Sequence, residues 1–159
     1  TLGLDNEAEY EGRGLSHCAA CDGPLYRGQP VAVVGADRWA VQEAVELAET
    51  ASQVTLVTEG AAVAASDGVT VLPGRVAALE GAEGLEAIVV DGERVPARAI
   101  FVQAGRHPDV AVLGDSAGQP GLFLAGDARS GNPRTISAAI ADGRRAGLDA
   151  IAYAQSLSA

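Results

Sequence analysis

The 159-residue sequence predicts an α/β fold in which a parallel sheet is buried on both of its faces. Two short apolar runs, residues 31–34 and 54–57, are continuous and lack the alternation of a half-exposed strand. A glycine-containing turn follows the first run, and apolar residues at helical spacing follow the turn. Hydrophobic residues form 48% of the chain and aromatic residues only 4%, so we expect a closely packed core of small side chains.

The composition disfavours several classes of function. A formal net charge of −10 argues against nucleic acid or an anionic membrane surface as a partner. All 11 basic residues are arginine, so no lysine is available for Schiff-base chemistry. No apolar run is long enough to cross a bilayer, and no signal peptide opens the chain. The length fits one domain, or one domain and part of another, and the start at Thr1 leads us to expect a missing upstream segment.

A strand–helix–strand unit is predicted between residues 31 and 57. Residues 31–34 form its first strand, 40–50 its helix and 54–57 its second strand. Such a unit is typical of Rossmann-type dinucleotide-binding domains, in which the first turn reads Gly-x-Gly-x-x-Gly/Ala. The corresponding turn of this chain reads Gly35-Ala36-Asp37-Arg38-Trp39-Ala40.

This turn keeps only part of the dinucleotide fingerprint. Gly35 and Ala40 match its first and last positions, but Asp37 replaces the middle glycine, where the backbone must approach the pyrophosphate. A carboxylate there is bulky and repels phosphate, so we expect weak or absent dinucleotide binding. Glu59 ends the second strand, where an acid would bind the ribose of NAD and repel the 2′-phosphate of NADP. A solvated loop acid remains an equally open interpretation of Glu59.

Turn chemistry predicts a β-hairpin further along the chain. Residues 85–90 and 93–95 are strand-like, and they flank Asp91-Gly92, a pair that favours a two-residue turn. Residues 61–78 show no pattern that places them.

Two further strands and a long helix complete the predicted elements. Residues 100–103 are predicted to be a buried strand, residues 122–125 a strand, and residues 135–155 a helix. One face of this helix carries an apolar stripe at helical spacing. Its members are Ile136, Ala139, Ile140, Gly143, Gly147, Ala150, Ile151 and Ala154.

The only two cysteines, Cys18 and Cys21, form a Cys-x-x-Cys pair that Asp22 follows directly. One turn of backbone can bring their sulfurs within bonding distance, so the pair can act as a dithiol switch. A carboxyl beside it could exchange protons with a thiolate or a reduced cofactor. Two alternatives stay open. The pair could be half of a zinc site, although only His17 and His107 remain as further ligands, or two inert core cysteines.

The order of these motifs resembles the low-molecular-weight thioredoxin reductases and their flavin-dependent disulfide-reductase relatives. The resemblance covers residues 3 to about 57 and 99–154, and it includes Cys-Ala-Ala-Cys-Asp, the glycine-containing turn after it, and the pair Gly126-Asp127. In that family the cysteine motif lies in the nicotinamide-nucleotide domain, and a glycine–aspartate pair holds ribityl hydroxyls of FAD. Without this context, Gly126-Asp127 would be read as a turn at the end of a strand.

The resemblance implies roles for individual residues. Cys21 would face the flavin, Cys18 would attack the substrate, and Asp22 would be the acid. The residues implied in cofactor binding are Gly35, Ala36, Asp37, Arg38, Ala40, Glu59, Gly105, Gly126, Asp127, Arg134 and Thr135. Threonine stands at position 135 where the family carries glutamine. A loop position suits His107 better than the role of a catalytic base.

The resemblance also implies a domain organisation. Residues 1–12 correspond to a crossover linker, residues 13–106 to an NAD(P)-binding-like domain that carries the cysteines, and residues 107–159 to the C-terminal part of an FAD-binding domain. The expected fold is therefore a Rossmann-like, three-layer α/β domain with a segment of a second domain.

The implied function is dithiol/disulfide oxidoreduction. Electrons would pass from a nicotinamide cofactor, with NAD favoured over NADP, through FAD to the cysteines and on to a thioredoxin-like protein or a small disulfide. We expect a cytoplasmic protein that forms a homodimer or pairs with a missing N-terminal half, and an isolated chain that is inactive. The alternative is a truncated, degenerate redox-sensing or binding module without enzymatic activity, and a zinc-binding interaction domain is a third possibility.

Overall fold

The computed structural model describes residues 1–64, 67–103, 113–114, 118–129 and 135–157. Two compact units divide the chain, Thr1–Gly105 and Arg106–Ala159. Within the described ranges, no helix combines the length and the apolar character needed to cross a bilayer.

The strands described lie in the first unit, and the described part of the second unit contains a long helix. The strands are β1 (Leu15–Ser16), β2 (Pro30–Val34), β3 (Gln53–Val57), β4 (Val69–Leu72), β5 (Val76–Glu80), β6 (Ala87–Val90), β7 (Glu93–Pro96) and β8 (Ala99–Val102). The helices are α1 (Ala19–Asp22), α2 (Arg38–Ala48) and α3 (Ile136–Ser156). Strands β1-β8-β2-β3-β4, in that order, form a parallel sheet, and β5-β6-β7 form an antiparallel sheet.

Alternate residues of the parallel sheet enter two separate cores. On β2, Val31 and Val33 belong to the cluster that includes the buried face of α2, whereas Ala32 and Val34 belong to the cluster shared with the antiparallel sheet. All four are essentially buried, as a continuous apolar run predicts. Helix, parallel sheet and antiparallel sheet therefore form three layers, and the predicted α/β class is confirmed.

The predicted strand–helix–strand unit is present as β2, α2 and β3. Its helix begins at residue 38, two residues earlier than expected, because the side chain of Asp37 caps it. Ala40, Ala44 and Leu47 form its buried face, which corresponds to the i, i+4, i+7 spacing of an amphipathic helix. The carboxyl ends of β2 and β3 and the start of α2 thus lie where an α/β sheet places its ligand site.

The antiparallel sheet contains the predicted hairpin. Its two central turn residues, Asp91 and Gly92, have φ angles of 50° and 86°, the left-handed pair that a two-residue turn requires. The strand before the turn begins at residue 87, while Leu85 is buried in the core ahead of it. Strands β4 and β5 account for part of the stretch 61–78, where the sequence pattern places no element.

Within the first unit, Tyr10 holds the N-terminal segment against the end of β5. Its side chain is 7% exposed, and its hydroxyl donates to the backbone carbonyls of Leu79 and Gly81 at 3.3 and 3.0 Å. The assignment of residues 1–12 as a linker between domains remains a prediction.

The second unit confirms the predicted helix and corrects one strand. Helix α3 begins after Thr135, whose hydroxyl accepts a hydrogen bond from the amide of Ala138 at 3.2 Å. Residues 122–125 are not a strand. Their apolar run is compatible with extended backbone, but no described residue forms a ladder with them, and a strand exists only with such a partner.

Candidate functional site: the Cys18–Cys21 turn

The two cysteines form a disulfide bond at the carboxyl end of β1. Cys18 is the N-cap of the single-turn helix α1, and Cys21 lies in that turn, so their Cα atoms are only 5.3 Å apart. The amide of Cys21 also donates a hydrogen bond to the sulfur of Cys18 at 3.2 Å. Cys18 is half-buried and Cys21 is exposed. The alternative of two inert core cysteines is therefore wrong.

A short hydrogen-bonded network links this turn to the carboxyl group beside it. Ser16, the last residue of β1, is 6% exposed, and its hydroxyl donates to the carboxylate of Asp22 at 2.7 Å. The same hydroxyl oxygen accepts a hydrogen bond from the amide of Cys18 at 3.1 Å. The carboxylate implied as the acid is thus held by a strand residue rather than by solvent.

The phenol of Tyr26 shows that the negative charge of Asp22 acts within this region. The Tyr26 ring packs edge-on against Phe101, with ring centroids 6.3 Å apart. Burial raises the pKa of Tyr26, the neighbouring Asp22 carboxylate raises it further, and Arg98 lowers it. The Tyr26 phenol is therefore neutral at the pH values where thiols titrate.

The side-chain amide of Gln103 connects the disulfide turn to helix α2. Its Nε2 donates to the Glu43 carboxylate at 2.8 Å and to the backbone carbonyl of His17 at 3.4 Å. The backbone amide of Gln103 continues the sheet by donating to Val34 at 2.8 Å. Sequence reasoning missed this residue, although its position directly after the apolar run of β8 was a usable signal, since polar residues at that edge of a parallel sheet face its ligand site.

The glycine-containing turn has the backbone of a dinucleotide loop at its first position. Gly35 has a φ of 148°, and a Cβ there would lie 2.8 Å from the Cβ of Ala40. Only glycine tolerates this backbone and this close approach of strand and helix. Close packing of the strand against the helix thus explains why small residues, Gly35 and Ala40, stand at the first and last positions of the fingerprint.

The middle position of the turn is used differently from the fingerprint. The Asp37 carboxylate accepts hydrogen bonds from the backbone amides of Trp39 and Ala40, at 3.0 and 2.9 Å. These are the amides at the N-terminus of α2, where such loops bind a pyrophosphate. Asp37 was expected to oppose dinucleotide binding by its bulk and charge. The structure adds a reason: its carboxylate already accepts hydrogen bonds from the backbone amides that would bind a pyrophosphate.

The other residues implied in nucleotide binding lie on the surface around this turn. Ala36 and Arg38 are exposed, and the Arg38 guanidinium stacks over the Trp39 ring at 4.2 Å from its centroid. Glu59 is exposed and has a φ of 51°, a left-handed conformation that is uncommon outside glycine. Both of the acids implied in nucleotide binding, Asp37 and Glu59, carry a negative charge that would repel a phosphate group.

In the second unit, a buried carboxylate fixes the Gly126-Asp127 turn. Asp142 is 8% exposed, and its Oδ2 accepts a hydrogen bond from the Gly126 amide at 2.9 Å. Its Oδ1 pairs with Arg129 and, at 3.1 Å, with Arg145. Asp127 itself is exposed. Periodicity places Asp142 off the apolar stripe of α3 and so gave no indication of its burial.

The surroundings of Asp142 predict a pH dependence of the second unit. Burial alone would raise the pKa of Asp142, but hydrogen bonds from Arg145, the Gly126 amide and Arg129 outweigh it and hold the pKa below its usual value. A depressed pKa in the folded state contributes stability above the unfolded pKa of about 4, and this contribution is lost as the pH falls through the folded value.

We therefore expect Asp142→Asn to lower the urea midpoint of α3 at about pH 7, and to lower it much less at about pH 3. Helical circular dichroism, with hydrogen exchange of residues 135–157, measures this midpoint. Asp149→Asn is the matched control, because Asp149 is half-exposed and also pairs with Arg145, at 2.7 Å. Equal effects of the two substitutions at both pH values would show that the ionised Asp142 carboxylate does not stabilise α3.

Three residues singled out in the sequence lie outside the described ranges. They are Gly105, His107 and Arg134. Thr135, also implied in flavin binding, is described, and its hydroxyl caps α3. Among the described residues, no group of three or more His, Cys, Asp or Glu side chains is arranged to hold a metal ion.

Comparison with known proteins agrees with the resemblance seen in the sequence. No family model matches the chain. The alkyl hydroperoxide reductase F protein of Pseudomonas putida is 28% identical over 186 aligned positions, which cover 94% of this chain and 35% of that protein. The thioredoxin reductase of Coxiella burnetii is 55% identical over 56 residues, which cover 35% of this chain and 18% of that protein.

A solved structure extends the agreement to the fold. The crystal structure of thioredoxin reductase from Streptococcus pyogenes superposes with a TM-score of 0.72 at 27% identity, and the match covers 98% of this chain and 62% of that protein. The chain thus spans less than two thirds of the length of each of these relatives. Thioredoxin reductases and alkyl hydroperoxide reductase F proteins are among its homologues and structural neighbours, and the resemblance read from its motifs is confirmed.

Proposed function

We propose that this chain provides the redox-active dithiol of a thioredoxin-reductase-like disulfide oxidoreductase. The observation that carries the proposal is the Cys18–Cys21 disulfide, which lies in a surface turn and has a carboxylate fixed beside it. A structural disulfide is usually buried or spans a long loop, whereas a pair within one helical turn is accessible to exchange.

The chemistry follows from the roles of the two sulfurs. In the reduced chain, the Cys18 thiolate attacks one sulfur of a substrate disulfide, and the other substrate sulfur leaves with the electron pair as a thiolate. The Cys21 thiolate then attacks the Cys18 sulfur, re-forms the intramolecular disulfide and releases the second substrate thiolate. Two electrons pass to the substrate. In the disulfide, the amide of Cys21 donates a hydrogen bond to the sulfur of Cys18, the proposed attacking position.

Asp22 acts on the protons of this exchange. A carboxyl next to Cys21 can take up the proton that a thiol loses on becoming a nucleophile, and can return it to a leaving thiolate. The hydrogen bond from Ser16 keeps this carboxyl in one position while the disulfide opens and closes.

The second unit fits part of a flavin. Asp127 presents an exposed carboxylate, an acceptor suited to ribityl hydroxyls, on a turn that Asp142 holds in place. FAD, when bound, supplies an electron pair to a disulfide such as Cys18–Cys21. The ADP part of FAD needs a glycine-rich strand–helix unit, and the described residues contain one such unit, β2–α2, which the resemblance assigns to the nicotinamide. We expect the purified chain to be colourless and without reductase turnover.

The β2–α2 turn does not fit a nicotinamide dinucleotide. Its N-terminal amides already bind the Asp37 carboxylate, so a pyrophosphate would have to displace a carboxylate of like charge. We therefore propose weak binding, with NAD favoured over NADP because Glu59 would repel a 2′-phosphate.

The same observation favours a second candidate function. A chain that keeps the Cys18–Cys21 pair but has an occupied dinucleotide turn could act as a redox-sensing or binding module without its own electron donor. In both cases the partner is a thioredoxin-like protein or a small disulfide, and a reducing compartment such as the cytoplasm suits an exchangeable pair.

Exchange with an aromatic disulfide tests the proposed function. The reduced chain should release two equivalents of coloured thiolate from 5,5′-dithiobis(2-nitrobenzoate) and regenerate its own disulfide. Cys21→Ser should release one equivalent and remain as a mixed disulfide at Cys18. Release of one equivalent by the unmodified chain, with a persistent mixed disulfide, would show that the second cysteine does not resolve the first.

A further inference from the structure

We infer that a groove beside the cysteine turn is a binding site for a short peptide with free termini, two or three residues long and with small apolar side chains. The groove lies between helix α2 and residues 19–27, and its volume is about 180 Å³. Pockets for drug-sized ligands measure about 300–1,000 Å³, so this groove suits a smaller molecule. The inference goes beyond the proposed function, because it concerns the disulfide form and needs no exchange of thiols.

The groove lies on the side of the redox turn that faces α2. Ala19 and Gly23 are four residues apart in helical backbone and so share one face of the turn. Cys18 and Cys21 are three residues apart and share another face. Ala19 is buried in the core cluster that contains Leu47 of α2, whereas Cys18 is half-buried and Cys21 is exposed. A ligand in the groove would therefore contact the segment between the cysteines and leave their sulfurs accessible.

The middle of the groove is narrow and apolar. A Cβ on Gly23 would lie only 2.8 Å from Cδ2 of Leu47, so the two walls approach closely where position 23 has no side chain. Ala19, Ala20 and Pro24 also line the groove. This lining suits the backbone and small apolar side chains of a peptide, and burial of their apolar surface favours binding.

Acidic side chains line the end of the groove beside the cysteines. Glu43 and Glu46 are three residues apart on one face of α2, and both line the groove. The side-chain amide of Gln103 donates to the Glu43 carboxylate at 2.8 Å and to the carbonyl of His17, which places this end of α2 beside the start of the cysteine turn. The two carboxylates give this end a negative charge that complements an ammonium group.

A basic side chain lines the opposite end. Arg27 is exposed, and it makes no hydrogen bond or ion pair with any residue in the described ranges. The amide of Gly28, next in the chain, donates to the carbonyl of Thr50 at 2.8 Å, which places Arg27 beside the C-terminal end of α2. An arginine with its donors available can bind a carboxylate through two parallel hydrogen bonds.

The spacing of these charges sets the length of the ligand. An α-helix rises 1.5 Å per residue, so the positions of Glu43 and Glu46 lie about 6–10 Å from that of Thr50 along the axis of α2. An extended peptide spans about 3.3–3.6 Å per residue, so two or three residues connect the two ends. The terminal ammonium would then lie near the glutamates and the terminal carboxylate near Arg27.

Calorimetric titration of the unmodified disulfide chain with trialanine tests the site. Trialanine amide lacks the terminal carboxylate, and N-acetyl-trialanine lacks the ammonium group. Arg27→Gln should weaken trialanine binding about two- to fivefold, as expected for an exposed ion pair, and should not change binding of the amide. Glu46→Gln should weaken trialanine binding to a similar extent and should not change binding of the acetylated peptide.

Matched control variants remove the same charges elsewhere. Arg94→Gln and Glu49→Gln replace exposed residues that do not line the groove, and both should bind trialanine as the unmodified chain does. Gly23→Ala should weaken binding of all three peptides, because the added methyl group narrows the middle of the groove.

Three outcomes would overturn the inference. The first is the absence of saturable trialanine binding at about 10 mM, ten times a millimolar dissociation constant. The second is an equal loss of affinity for trialanine and its amide in Arg27→Gln, since the arginine would then act only on the fold. The third is equal affinity for a peptide blocked at both ends, which would mean that the groove takes an internal segment of a polypeptide. Failure of the chain to exchange disulfides would refute the proposed function and leave a positive binding result standing.

Discussion

Replacing Asp37 with glycine is expected to raise the affinity of the chain for NAD by about tenfold or more. The substitution frees the amides of Trp39 and Ala40 for a pyrophosphate and removes a like charge, whose repulsion costs about 1 kcal/mol or more at close range. Glycine is itself an acceptable N-cap, so the helix should lose only a few tenths of a kcal/mol of stability.

A second substitution of Asp37 separates the effect of its charge from the effect of its hydrogen bonds to the two backbone amides. Asp37→Asn removes the charge, but its side-chain oxygen can still accept from both amides, so its gain in affinity should be smaller. Glu49→Gln, at the C-cap of α2, is the matched control for net charge and should change nothing. Calorimetry measures the affinities. Tight NADPH binding by the unmodified chain would contradict the account of this turn.

The chain is also expected to self-associate through α3. The apolar stripe predicted from the sequence is solvent-exposed in the structure, with Ile136, Ile140 and Ile151 at 82%, 68% and 58% exposure. Exposed apolar patches of this length favour association, because burial of each large side chain gains about 1.5–3 kcal/mol. We expect a second copy of the chain to cover the stripe.

Sedimentation velocity tests this association. The double variant Ile140→Asp, Ile151→Asp should be monomeric at concentrations where the unmodified chain is not. Ala141→Asp, Ala152→Asp adds the same charge to exposed positions away from the stripe, and it should associate as the unmodified chain does. Monomeric behaviour of all three proteins would refute the prediction.

The buried strands could be predicted from the sequence because burial on both faces leaves a continuous apolar run. Residues 31–34 and 54–57 show this run, and the structure places β2 and β3 there. The edge strand β4 could not be found in this way, since only one of its four residues is buried and its pattern is weak. Residues 122–125 show the opposite error, because an apolar run predicts burial but not the partner that a strand needs.

The candidate site was predictable where a motif carries the chemistry. Cys18, Cys21 and Asp22 are close in sequence, and the spacing of the cysteines alone indicates an exchangeable pair. Ser16 could not be assigned, because its importance comes from a hydrogen bond that only the folded turn brings about. The position of Gln103 after a buried strand was a usable signal, but its contacts with the cysteine turn and α2 depend on the fold.

Two aspartates also have roles that depend on the folded backbone and could not be read from the sequence alone. The charge of Asp37 was expected to oppose phosphate, but its place as an N-cap depends on the local backbone. Asp142 is polar and off the stripe, and only the contact with the Gly126 turn explains why it is buried.

Mass spectrometry after thiol alkylation tests the central claim most directly. The unmodified, natively folded chain is treated with an alkylating reagent before and after mild reduction. We expect no label before reduction, because Cys18 and Cys21 are joined, and two labels after it, since the exposed turn admits the reductant. Reoxidation should abolish labelling again. Two labels in oxidant, or none after reduction under native conditions, would contradict an exchangeable dithiol.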